Sequence, residues 1–187
     1  MTTPVPADEQ ILADTRVWLE KAVIGLNLCP FAKSVYVKQQ VRLVVSRARH
    51  LDALLEELDA ELALLAAADP EAIDTTLLVL AEQLGDFLDF NDFLALADQA
   101  VSDLGLDGVL QIASFHPDFQ FEGTAADDIT NFTNRAPYPT LHLLREASID
   151  RAVAAFPDAE DIFGKNMETL EALGHAGWQA LGLARRR

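Results

Sequence analysis

Residues Thr75 to Ala81 read TTLLVLA. The run is apolar almost without a break and shows no alternation of polar and apolar positions. A strand of that kind is covered on both faces, which is the condition of a strand inside an α/β sheet. Two further stretches read as strands: Val41 to Ser46 (VRLVVS) and Gly108 to Phe115 (GVLQIASF). Between them lie two helices. In residues 51–67, Leu51, Leu54, Leu55, Leu58, Leu62 and Leu65 form one stripe, which Asp69-Pro70 ends. Asn91 caps the next helix, which runs to Leu104 before Gly105. Residues 41–115 therefore read strand, helix, strand, helix, strand. Helices of this length join parallel strands. The expectation is an α/β fold with a small sheet of three or four strands, mostly parallel, covered by about five helices. A ferredoxin-like α+β arrangement is the alternative.

Upstream, residues 8–26 form an amphipathic helix, with Asp8 as its cap and Ile11, Leu12, Trp18, Leu19, Ala22, Val23 and Leu26 at helical spacing. Gly25 and Cys29-Pro30 end it. Downstream, residues 116–139 have no periodicity, and an irregular stretch of that length is functional or poorly ordered. Residues 140–145 (TLHLLR) read as a fourth strand or as the start of a helix. Ser148 caps a short helix that Pro157 ends. Asp158 caps a last helix containing Ile162, Phe163, Met167, Leu170 and Leu173, and Gly174 and Gly177 weaken its end. With no repeat and no linker, residues 1–187 read as one domain, frayed over 1–7 and 184–187.

The charge is lopsided. The chain carries 30 acids and 14 bases, a net charge of −16. Nucleic acid and anionic membrane attract basic surfaces, so neither is expected as a partner. From Lys21 to Arg49 there are bases and no acid: Lys21, Lys33, Lys38, Arg42, Arg47 and Arg49. From His50 to Asn134 there is no Lys or Arg at all. Arg135 and Arg145 follow as isolated bases. The acidic stretch reads as solvated surface. The basic one is a candidate anion site or docking segment. Met1 to Ala7 lacks the pattern of a secretory signal, and no apolar stretch reaches about 18 residues, so a cytoplasmic location is expected.

Three segments carry the unusual chemistry. In Asn27 to Lys33 (NLCPFAK) a Pro-stiffened turn presents Cys29, the one thiol of the chain. Nearby Lys33, Lys38 and Arg42 would favour a thiolate; a buried small hydrophobe is the bland alternative. In Phe115 to Phe121 (FHPDFQF), His116 follows a strand directly, where open α/β sheets bind ligands. Asp118 is close enough to orient it. Phe115, Phe119 and Phe121 wall a pocket or anchor the loop. The third segment, Asn131 to Glu146, contains Asn134, Arg135, Tyr138, His142, Arg145 and Glu146. If 140–145 is extended, His142 faces one side and Leu141, Leu143 and Arg145 the other. If it is helical, His142, Arg145 and Glu146 share a face. Ion pairs of Arg135 or Arg145 with the acidic body are the bland alternative. His50 and His175 read as surface residues.

NLCPFAK, FHPDFQF and TNRAPYPTLHLLRE together resemble the hallmarks of an uncharacterised bacterial family, one of the domains of unknown function found mainly in proteobacteria. The resemblance spans about residues 9–180. It implies no activity and assigns no residue a role.

No G-x-G-x-x-G, P-loop, G-x-S-x-G or H-E-x-x-H occurs, so nothing supports those chemistries. Two classes remain. One is an enzyme-like site for a small anionic molecule, with His116 as acid/base, Asp118 orienting it, and Cys29 as nucleophile or wall. Lys33, Asn134, Arg135, Tyr138, His142, Arg145 and Glu146 would bind the substrate. The other is a non-catalytic module that docks a protein partner through the acidic body or the basic 33–49 segment. A metal site of Cys29, His116 and His142 is a variant whose residue types suit Zn or Fe. The sequence names no cofactor. The discriminating observation is whether Cys29, His116, Arg135 and His142 converge on one cavity.

Overall fold

The computed structural model describes residues 5–156 and 161–185. Four strands form the sheet: β1 (Val41–Ser46), β2 (Thr75–Leu80), β3 (Leu110–Phe115) and β4 (Thr140–Arg145), in the order β1-β2-β4-β3. β1 pairs parallel with β2, Leu43 opposite Leu77. β4 runs antiparallel between β2 and β3, with His142 opposite both Leu77 and Ala113. The sheet is thus mixed, which corrects the expectation of a mostly parallel one. The reason lies in the stretch that carries no periodicity. It crosses the end of the sheet and returns the chain in the opposite direction, so β4 fills the gap between β2 and β3. The succession strand-helix-strand-helix-strand-strand also differs from the ferredoxin-like β-α-β-β-α-β.

Every residue of β2 is buried. Leu78 and Leu80 face α3 (Leu51–Ala67) and α4 (Phe87–Asp103), where Leu54, Leu58, Leu62 and Leu65 of α3 and Phe90, Phe93 and Ala97 of α4 complete the main core. The same side takes Leu110, Leu141 and Leu143. Leu77 and Val79 project to the other face, under α1 (Asp8–Trp18) and its π-helical continuation Leu19–Ile24. There Trp18, Leu19, Ala22 and Val23 pack on Leu77, and Ile11 packs with Val79 and Tyr138. Two covered faces explain the unbroken apolar reading of 75–81.

Helix starts deviate from expectation for local reasons. Asp86 caps α4, its carboxylate accepting from the Leu88 and Asp89 amides, so Asn91 lies inside the helix. The cap of α1 is Ala7; Asp8 sits in the first turn and pairs with Arg47 at 2.7 Å. α5 (Glu146–Ala155) starts directly from β4, and Ser148 instead donates to Asp74 at 2.6 Å. Pro157 and Asp158 lie outside the described residues. α2 is the short helix Ala32–Val37. The last helix, α6 (Ile162–Ala180), is kinked at Gly174, whose φ of 64° and ψ of 175° interrupt the helical path. No helix among the described residues is long and apolar enough to cross a membrane.

Candidate functional site

The segment 116–139 is held by side chains that answer backbone groups. Asn131, fully buried in the 3-10 helix Ile129–Asn134, accepts from the Phe121 amide (2.9 Å) and the Thr124 hydroxyl (2.8 Å) and donates to the Ala125 carbonyl (2.8 Å). Asn134 donates to the Ser114 carbonyl at 3.1 Å, and its own carbonyl receives the His116 amide. These bonds tie the segment to the outgoing end of β3.

His116 sits where β3 ends, as read from the sequence, but its ring is enclosed. It is 0 % exposed. Phe87 and Phe90 of α4 flank it at 5.4 and 5.1 Å between ring centres. Its Nδ1 accepts from the Asp118 amide (3.0 Å), so Nε2 carries the proton and donates to the Leu84 carbonyl (3.1 Å). Both nitrogens are engaged, and burial pushes the pKa below the ordinary histidine value. The imidazole braces the turn after β2, where Leu84 adopts a φ of 58°. Phe119 packs on Phe87 and Phe121 on Phe119, so these aromatics anchor the loop.

His142 projects from β4 on the opposite side to Leu141, Leu143 and Arg145, as the extended reading required. Its Nε2 lies 2.8 Å from the Thr75 hydroxyl. That hydroxyl spends its hydrogen on the Leu143 carbonyl at 2.6 Å, so it accepts from His142. Burial pushes the His142 pKa down to about 4. Cys29 joins the cluster under the π-helical segment. Burial raises its pKa, outweighing the Phe31 and Ala32 amides that favour the thiolate. The expected lowering by Lys33, Lys38 and Arg42 is therefore reversed: Arg42 makes a two-pronged pair with Glu61 at 2.8 and 2.9 Å. Among the described residues no three His, Cys, Asp or Glu are grouped so as to hold a metal ion.

Arg145 is 9 % exposed, and among the described residues it pairs with no carboxylate. Its Nη2 donates to the carbonyls of Leu65 (2.6 Å) and Ala68 (2.8 Å), which closes the carboxyl end of α3, and its Nε to that of Ile73 (3.3 Å). Tyr138 is buried and donates to Asp14 of α1 at 2.7 Å. Glu146 begins α5, and Lys33 is exposed on α2. The basic segment spends Arg47 on Asp8 and Glu82, and Arg49 also pairs with Glu82.

Arg135 alone of the expected residues lines a cleft. This cavity of about 300 Å³ opens beyond the end of β3, between the 3-10 helix, the end of α1 and the last turns of α6. Trp18, Phe132 and Trp178 wall it, and Pro117, next to His116, forms part of its rim. Trp18 is fixed by its indole N–H, which donates to the Arg135 carbonyl at 2.9 Å. Phe132 meets Trp178 edge to face at 5.0 Å, and His175 at 5.5 Å. The Arg135 guanidinium lies 4.2 Å above the Phe132 ring. Its Nε and Nη2 donate to the Phe119 (3.1 Å) and Ala126 (2.6 Å) carbonyls. Arg185 is the second cation of the cleft and pairs with Asp118 at 3.1 Å. Burial depresses the Arg135 pKa; Asp118 opposes this, and the neighbouring Arg185 adds to it.

Cys29, His116 and His142 thus do not join Arg135 on this cavity. The sequence reading had placed Trp18 in a helix stripe, His175 on the surface and Arg185 in a frayed tail. The signal available was that both tryptophans of the chain stand beside chain ends or breaks: Trp18 where the helix changes form, Trp178 after Gly174 and Gly177.

No curated protein and no solved structure matches the chain. A family model described as a protein of unknown function, DUF1415, matches residues 10–180. With nearly the whole chain matched, from the first turn of α1 to the last residue of α6, the protein belongs to the DUF1415 family.

Proposed function

We propose that the protein binds a small anionic molecule in the cleft between the Arg135 turn and α6. One observation carries this reading: among the described residues the cleft is lined by two arginines and no Asp or Glu, in a chain with 30 acids and 14 bases, with Asp118 reaching Arg185 as an ion pair. Arg135 is half-buried; Asp118 offsets the repulsion from Arg185, and a bound anion answers the burial of the charge that remains. Guanidinium groups suit carboxylate or phosphate, which they meet with paired N–H donors. His116 and His142 have no part in this reading, because their protonated nitrogens already serve the fold. It is a binding function, with no proton-transfer step assigned.

Both tryptophans line the cleft, so intrinsic fluorescence reports occupancy directly. Titration with acetate or inorganic phosphate, at constant ionic strength set by chloride, changes the emission saturably. Arg185→Gln weakens binding about three- to tenfold, the range for a partly exposed charged contact. Unchanged emission and unchanged melting temperature up to high anion concentration overturn the proposal.

A further inference from the structure

We infer that the occupant of this cleft is a small planar aromatic monocarboxylate, its ring against the aromatic wall and its carboxylate on the two arginines. This rests on the anion-binding reading above and narrows it.

Three observations lead there. The first is charge. Arg135 and Arg185 supply two cations, and Asp118, paired with Arg185 at 3.1 Å, offsets one of them. One positive charge is left over, which suits a monoanion; a polyphosphate would bring more negative charge than the site can answer. The second is the wall. Phe132 and Trp178 present phenyl and indole surface, Trp18 lines the cleft but is 2 % exposed, and Ala136, Pro137 and Leu183 add apolar side chains. Flat rings gain most from such a wall through offset and edge-to-face contacts. The wall already shows both habits: Phe132 takes Trp178 edge-on, and the Arg135 guanidinium lies over its face. The third is size. About 300 Å³ is at the small end of ligand sites, which suits one or two rings.

Arg135 is also built as a positioned donor. Its Nε and Nη2 are held by the Phe119 and Ala126 carbonyls, and Nη1 has no hydrogen-bond partner among the described residues. A guanidinium fixed at two corners loses little freedom when its third corner meets a carboxylate. Arg185 is exposed and lines the same cleft. Gln179, on the same rim, adds an amide that can bond a ring substituent.

The test uses the full chain and calorimetry with four probes. Benzoate carries ring and charge, cyclohexanecarboxylate carries charge on a non-planar ring, benzamide carries the ring without charge, and acetate carries the charge alone. The expected order places benzoate about tenfold or more ahead of each of the others, in line with the worth of aromatic contacts and of one charge-assisted pair. Trp178→Leu, which keeps the charges, lowers benzoate affinity several-fold more than acetate affinity. If that variant does not fold, the wild-type comparison of benzoate with cyclohexanecarboxylate decides the same point. Equal affinity for benzoate, cyclohexanecarboxylate and acetate overturns the aromatic inference while the anion-binding reading stands. Benzamide matching benzoate, with no effect of Arg185→Gln, overturns both. No heat with any of the four also overturns both.

Discussion

Arg135 and Arg145 are ten residues apart and are the first two bases after the stretch 50–134, which has no Lys or Arg. The fold uses them in different ways. The Arg145 guanidinium is nearly buried and answers the Leu65 and Ala68 carbonyls at the end of α3 and the Ile73 carbonyl of the loop that follows. Around Arg135 the fold answers two donor positions and leaves the rest of the group in a cleft with a second arginine. The helix end explains the difference. An α-helix finishes with carbonyls that lack intrahelical partners, and a cation placed there is consumed by them. Arg135 caps the 3-10 helix Ile129–Asn134, but its guanidinium turns to the loop carbonyls of Phe119 and Ala126 instead of to helix-end carbonyls. His116 and His142 belong with Arg145: each is a polar group closed by the chain itself.

The sharpest break of this contrast is Arg145→Met. It leaves the Leu65, Ala68 and Ile73 carbonyls without their donor, and the expected loss is roughly 3–5 kcal/mol in urea unfolding. Anion affinity of the folded fraction stays within about twofold. A variant that unfolds at the wild-type midpoint but no longer binds would place Arg145 with the cleft instead.

Acid separates the two regions next. The folded pKa values of His116 and His142 lie below the ordinary 6.5, His142 at about 4. The unfolded chain therefore takes up protons first. The stabilisation is complete above about pH 6.5 and is lost as the pH falls from there towards 4. Between pH 7 and pH 5 the expected cost from His142 is about 2 kcal/mol, and His116 adds to it. Urea unfolding across this range checks it; His142→Gln gives a shallower slope than wild type. An equal slope in the variant would mean that His142 is not held neutral.

Asn131→Ala joins the two regions. It removes three hydrogen bonds inside the segment that carries Arg135. The expected destabilisation is about 2 kcal/mol, with weaker anion binding in the same variant. Binding that stays at the wild-type level would show that Arg135 is positioned without this tie.

Arg185→Gln has the smallest effect on stability. Its pair with Asp118 is exposed, and the cost stays below about 1 kcal/mol by thermal unfolding. Its expected effect is on affinity, which falls three- to tenfold. A larger loss of stability than of affinity would assign Arg185 to the closed class.

Much of the fold was legible before the structure. The strands 41–46 and 75–80 and the helix 51–67 are local patterns: β-branched or apolar runs, a leucine stripe, and an Asp-Pro stop. The direction of β4 was not legible. TLHLLR has no period that separates a strand from a helix start, and pairing between β2 and β3 depends on where an irregular segment returns. Of the site residues singled out in the sequence, Arg135 is the one that lines the proposed cleft. His116, His142 and Cys29 stood out by type, but type does not tell whether a side chain's partners come from the chain or from a ligand. Trp178, His175 and Arg185 reach the cleft because α6, bent at Gly174, lies against the 3-10 helix through Phe132. The sequence by itself determined the α/β class, the covered central strand, the shortage of bases and the isolation of its arginines, since these depend on composition and near-neighbour spacing. Only the tertiary structure decided the mixed sheet and which arginine is spent on a helix end and which faces a cleft, because those depend on carbonyls and rings brought together from distant parts of the chain.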